Sequence, residues 1–127
     1  GAPVFLGLRD DVDLEEFRTA AERAEHGVRL EADRFLQAHA AEQHRLYLIP
    51  AGTPHASGEG NVVLEISATP YLYTLRFYDW LRRDLDGRLR PVHVCHAFAN
   101  VDARRRGEAV AELMPEPRVV REGSGWS

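Results

Sequence analysis

The sequence predicts a mainly β protein, a portion of a jelly roll or sheet sandwich with helices inserted in front of it. Three observations carry that expectation. Amphipathic spacing of the helical period is confined to the first third of the chain. At His44 the pattern changes to short apolar runs of strand length. Those runs are separated by turns rich in glycine and proline, the punctuation of an all-β architecture. The chain therefore divides into a helical segment over 1–43 and a partial jelly-roll segment over 44–127.

Val4–Leu8 reads like the middle of a strand. Asp13-Leu14-Glu15-Glu16 has the capping-box form, an acidic N-cap with Glu three residues on. Leu14, Phe17, Ala20, Ala21 and Ala24 then line one helical stripe, and His26-Gly27 supplies a stop. A second, shorter helix is expected over 32–40, presenting Phe35 and Leu36. Leu46–Ile49 reads as a buried strand ended by Pro50-Ala51-Gly52-Thr53-Pro54. Val62–Ser67 and Tyr71–Tyr78 follow as strands, joined by Thr69-Pro70. Asp86-Gly87 signals a turn, 95–101 a short helix, and 118–121 one further strand. Beyond Arg104-Arg105-Arg106-Gly107 the pattern loses order. About five short strands fall short of the eight of a jelly roll, so the sequence reads as a segment of a larger unit.

The 127 residues are 44% apolar and 28% charged, which excludes a disordered tail or a fibrous repeat. The formal net charge of −4 has the wrong sign for an electrostatic grip on nucleic acid or an anionic membrane surface. No run approaches the roughly 18 apolar residues of a membrane span. A single cysteine, Cys95, gives no reason to expect an oxidising compartment, and a cytoplasmic protein is the expectation. All 16 basic residues are arginine, which excludes a lysine Schiff base within the chain.

The six histidines form no compact metal motif. His55 stands apart because two prolines and a glycine fix the backbone before it, as a barrel-mouth ligand requires; a plain turn histidine fits the same frame. Glu65 is a carboxylate within an otherwise apolar run. Strand alternation places it on the face opposite Val62, Leu64 and Ile66. Arg76 alternates with Leu72, Thr74 and Tyr78. If the two strands share a sheet, Arg76 and Glu65 line one cavity, as an internal salt bridge or as a grip on a substrate phosphate.

From Tyr47 through Pro50-Ala51-Gly52-Thr53-Pro54-His55-Ala56-Ser57-Gly58 to Ser67, the chain resembles the signature segment of class I mannose-6-phosphate isomerases. These are zinc-dependent enzymes of the cupin superfamily. Thr74-Leu75-Arg76-Phe77-Tyr78-Asp79-Trp80 and Gly87–His93 are similar to the arginine-bearing strand of that family and the stretch after it. Val4–Leu8 with the helical pair resembles the insert that precedes the signature. The resemblance runs over about residues 3–102 and implies a partial cupin jelly roll. It implies His55 as a ligand of one Zn²⁺ ion, with Arg76 and Glu65 as catalytic residues acting on a sugar phosphate. The Gln-x-His pair and the further Glu that complete the zinc site in that family have no counterpart here, because Gln43-His44 lacks the intervening residue. The chain is therefore expected to be a segment of an aldose–ketose isomerase, inactive alone. The competing readings are a non-catalytic sugar-binding or regulatory cupin module and another metallocupin enzyme. Strand edges left unpaired in such a segment favour self-association.

Overall fold

The computed structural model describes residues 2–68 and 74–118. Its centre is a three-stranded antiparallel sheet in the order β2-β1-β3, built from β1 (Val4–Leu8), β2 (Leu36–His39) and β3 (His55–Ser57). Helix α1 (Leu14–Glu25), the single turn α2 (Ala32–Phe35) and α3 (Val94–Asn100) complete the regular structure, with a 3-10 helix over Gly107–Leu113. The described residues thus form a mixed α/β fold, which corrects the mainly β expectation.

Helix α1 forms where the sequence places it. Asp13 Oδ1 accepts from the backbone N–H of Glu15 at 2.8 Å, satisfying one of the first-turn donors that a helix leaves open. Phe17, Ala21 and Ala24 turn inward. Phe17 is fully buried; it stacks on Phe35 at 4.7 Å and meets Phe98 and Phe77 edge-on at 4.9 and 5.2 Å. These rings pack with Phe5, Leu8, Val12, Leu30 and Leu36 into the main core. A smaller core of Leu6, Val110 and Leu113 seats the 3-10 helix, with Tyr47 and Met114 against it. Phe5 and Leu6 serve different cores because successive strand side chains point to opposite faces.

Strand β1 is irregular in the middle. Its register with β2 runs Val4 to His39 and Phe5 to Ala38, then shifts to Leu8 opposite Leu36. Gly7 sits in this bulge at φ +69, and a Cβ there would lie 2.4 Å from Val110 Cγ2. The backbone groups at the bulge find partners elsewhere, as buried donors and acceptors must. Gly7 N–H donates to Pro54 O at 2.8 Å, and Leu8 N–H to Arg105 O at 2.7 Å. The Gln37 amide donates to both Leu8 O and Gly107 O at 2.9 Å, tying β1 to the 3-10 helix.

Several expected elements differ. The helix expected over 32–40 ends after one turn, and Leu36–His39 becomes β2, because pairing with β1 outweighs the local helical preference. Leu46–Ile49, expected as a buried strand, lies outside the sheet with Leu46, Leu48 and Ile49 exposed, its Leu48 N–H donating to Leu113 O at 2.7 Å. Val62–Ser67 is also outside the sheet and exposed. Of the strand expected over 71–78, residues 74–78 lie outside any strand, while 71–73 and the Thr69-Pro70 turn fall outside the described residues. The strand expected over 118–121 lies beyond them except for Arg118. Helix α3 and the turn at Asp86-Gly87 form as expected, the latter closing a bridge between Arg83 and Leu89. The 3-10 helix over 107–113 had no counterpart in the sequence reading. No helix among the described residues is long and apolar enough to cross a membrane.

Candidate functional site

The Pro50–Pro54 turn is anchored on both sides. Thr53 N–H donates to Pro50 O at 3.1 Å, and Asp102 N–H donates to Gly52 O at 2.9 Å. Gly52 takes φ +78, and a Cβ there would stand 2.6 Å from Asn100 O, so the turn lies flush against the end of α3. Pro54 O receives the Gly7 N–H, so the turn is held by α3 on one side and by β1 on the other.

His55 opens β3 directly after this turn and pairs with Leu6. Its ring is exposed, with Nδ1 2.9 Å from Thr53 O. A carbonyl oxygen only accepts, so Nδ1 carries the proton, and in the neutral ring Nε2 keeps its lone pair. A carbonyl that orients the ring and fixes its tautomer in this way is the usual support of a metal-ligating histidine. Among the described residues no group of three or more His, Cys, Asp or Glu is arranged to hold a metal ion.

Arg76 lies beside the start of α3. Its backbone N–H donates to His93 Nδ1 at 3.3 Å, and its carbonyl accepts from His93 N–H. The next two residues, Phe77 and Tyr78, pack on the main core, on the sheet face of Phe5 and Ala56. His55 is paired with Leu6 and belongs to the other face. Glu65 lies in the exposed stretch after β3. The alternation argument that put Arg76 and Glu65 in one cavity does not apply, since neither stretch is a strand, and no ion pair joins the two. The described residues therefore do not gather His55, Arg76 and Glu65 into one cluster.

Two further features were not anticipated. Asp79 is held between Arg90, 3.2 Å away, and Arg82 at 3.9 Å, and so braces the 82–90 hairpin. Its neighbours Trp80 and Leu81 both take positive φ in a tight turn closed by Arg82 N–H donating to Asp79 O at 3.0 Å. A groove of about 860 Å³ runs beside β2, lined by Asp10, Asp11, Asp33, Gln37, His39 and Glu108 among others. Its acids come from three separate stretches of chain, so no local motif announced it. Close to the Pro50–Pro54 turn, Asp102 accepts a two-pronged grip from Arg104 at 2.9 Å on each oxygen. These bonds and the Arg104 backbone N–H hold its carboxyl below the usual carboxylate range, at about 2.

Comparison with known proteins yields a partial likeness. The chain is 34% identical over 80 residues to mannose-6-phosphate isomerase ManA of Bacillus subtilis (strain 168). The match takes in 63% of this chain and 23% of that enzyme, so the chain spans about a quarter of the length of the relative it matches. An 80-residue stretch of a 127-residue chain necessarily includes residues 48–80, and with them His55, Glu65 and Arg76. No family model and no solved structure matches the chain.

Proposed function

We propose that this chain is a segment of an aldose–ketose isomerase that interconverts mannose 6-phosphate and fructose 6-phosphate. The similarity to the Bacillus isomerase over a stretch holding His55, Glu65 and Arg76 carries this reading. In the complete protein this stretch belongs to a cupin jelly roll, with Val62–Ser67 as one of its strands. The reaction moves a proton between C2 and C1 through a cis-enediol. Arg76 stands beside the negative charge that develops on the enediolate oxygens, and a positioned cation of this kind contributes about 3–4 kcal/mol of transition-state stabilisation. Glu65 accepts a hydrogen bond from a sugar hydroxyl and so orients the ring.

His55 offers Nε2 as one ligand to a zinc ion, which polarises sugar oxygens in enzymes of this type. Zinc takes four protein ligands, or three and a water. One histidine does not make such a site, and the described residues do not complete it. The remaining ligands lie in another part of the polypeptide, and the 127-residue chain alone is inactive.

A chimera tests this reading. The matched 80 residues of this chain replace their counterpart in the Bacillus enzyme, and turnover is followed in a coupled isomerase assay beside zinc content. The expected result is one zinc per chain and measurable turnover. His55→Ala removes zinc and activity together, whereas Arg76→Ala keeps zinc and lowers kcat. A folded, zinc-loaded chimera without turnover would instead favour a non-catalytic sugar-binding module.

A further inference from the structure

One residue holds both main-chain polar groups of Arg76. The Arg76 carbonyl accepts from the His93 N–H, and the Arg76 N–H donates to His93 Nδ1 at 3.3 Å. In an antiparallel ladder two facing residues exchange two such bonds, main chain to main chain. The His93 carbonyl is already committed, because it accepts from the Ala97 N–H at 2.8 Å and so opens the first turn of α3. The ring nitrogen stands in for that carbonyl. His93 is thus the N-cap residue of α3, yet its side chain makes no capping bond to the helix and serves Arg76 instead.

The contact belongs to a longer pairing. Three residues further along each arm, Asp79 meets Arg90 at 3.2 Å, in the same antiparallel register. Beyond them the Arg90 N–H donates to Arg82 O at 2.9 Å. On its other side Arg76 is followed by Phe77, whose ring meets Phe98 of α3 edge-on at 6.2 Å. The Arg76 main chain is therefore fixed to α3 twice. Among the described residues no hydrogen bond or ion pair engages its guanidinium. A held main chain with an unengaged cation suits a group that must meet charge developing only in the transition state.

We propose that His93 is a positioning residue for Arg76, replacing a strand partner at the point where the chain must turn into α3. The inference rests on the isomerase reading of Arg76. Because Nδ1 accepts a hydrogen bond, the neutral ring carries its proton on Nε2, the opposite tautomer to that of His55. His93 is exposed, so the ring contributes this contact rather than packing.

Two measurements test the proposal. In the 127-residue chain, long-range proton–nitrogen NMR of the imidazoles should find His93 Nδ1 bare and Nε2 protonated. Exchange of the Arg76 amide proton should quicken about tenfold in His93→Phe, as for the loss of one ordinary hydrogen bond. The second measurement is turnover, in a chimera that carries this chain to Asn100, the end of α3. There His93→Phe should lower kcat by about 10–100-fold while KM and zinc content stay near those of the parent. His93→Asn, whose side-chain oxygen stands where Nδ1 stands, should restore kcat. His93→Ser caps a helix as well as Asn does but is one bond shorter, and should not restore it. A His93 ring protonated at Nδ1, Arg76 exchange unchanged in His93→Phe, or Ser restoring kcat as fully as Asn would each overturn the proposal. An active parent chimera whose His93→Phe form is equally active removes the positioning role alone, whereas a zinc-loaded parent without turnover removes the isomerase reading and this role with it.

Discussion

Replacing Gly7 with alanine tests how tightly the β1 bulge is closed over the 3-10 helix. Two effects act together. The backbone at φ +69 disfavours any Cβ, which costs about 1–2 kcal/mol in the left-handed region. The new methyl would also sit 2.4 Å from Val110 Cγ2 and 3.1 Å from Arg105 O. Carbon atoms in contact rest about 3.5–4 Å apart, so Val110 must retreat by roughly 1 Å. Val110 is fully buried, and such overpacking costs about 1–3 kcal/mol. Alanine restricts the unfolded chain more than glycine does and returns about 0.5 kcal/mol. The net expectation is a loss of about 2–4 kcal/mol, a large part of the stability of a small domain. Urea denaturation at fixed chain concentration should show a lower midpoint with an unchanged slope. Val110→Ala removes the colliding methyls, so the double variant should be about 1–2 kcal/mol more stable than the sum of the single changes implies. A Gly7→Ala protein within about 0.5 kcal/mol of the parent, or additive behaviour with Val110→Ala, would refute the close approach described here.

Phe17→Ala empties the centre of the aromatic cluster and should lower stability by about 3–5 kcal/mol in the same denaturation experiment. Asp13→Ala leaves the first turn of α1 uncapped, with an expected loss of about 1 kcal/mol and lower helicity by circular dichroism. The Asp102 carboxyl is held at about 2, below its unfolded value, so its contribution to stability is complete above pH ~4 and lost as pH falls towards ~2. Asp102→Asn should therefore be less stable than the parent at neutral pH, and the gap should close across that acid window in thermal melts at stepped pH. His55→Ala should leave the melting temperature of the isolated chain nearly unchanged, because an exposed ring carries little packing.

What the sequence made legible was what neighbouring residues decide among themselves. Asp13, Phe17, Ala21 and Ala24 carry the cap and the inward stripe of α1 within one short stretch, and Asp86-Gly87 contains its own turn. The element after α2 was not legible. Leu36 and Phe35 fit a helical stripe, yet Leu36–His39 is claimed by a strand some thirty residues earlier, and Gln37 spends its amide on the bulge. In the 3-10 helix, Val110 and Leu113 are three apart, a spacing that could have signalled it, but their partner Leu6 lies at the other end of the chain. Val62–Ser67 has the composition of a strand and finds no neighbour in the sheet, since composition creates the tendency to pair without supplying the partner. At the candidate site, the rigid frame of His55 was written in Pro50 and Pro54. The Thr53 carbonyl that sets its tautomer emerges only once the turn has closed.

The order in which β1 acquires its neighbours has a bearing on biosynthesis. This central strand is synthesised before its partners, yet the carbonyl that receives its Leu8 N–H belongs to Arg105, and the Gln37 amide it shares is also bound to Gly107. At about 5–20 residues per second, that carbonyl is made some 5–20 s after the strand itself. During the interval Leu6 has no Val110 or Leu113 to cover it, and the bulge holds unsatisfied donors. Closing so long a loop is slow, because the entropy is lost before the contacts form. The folding of β1 is therefore governed by the arrival of Arg105 and the 3-10 helix rather than by the strength of its own sequence.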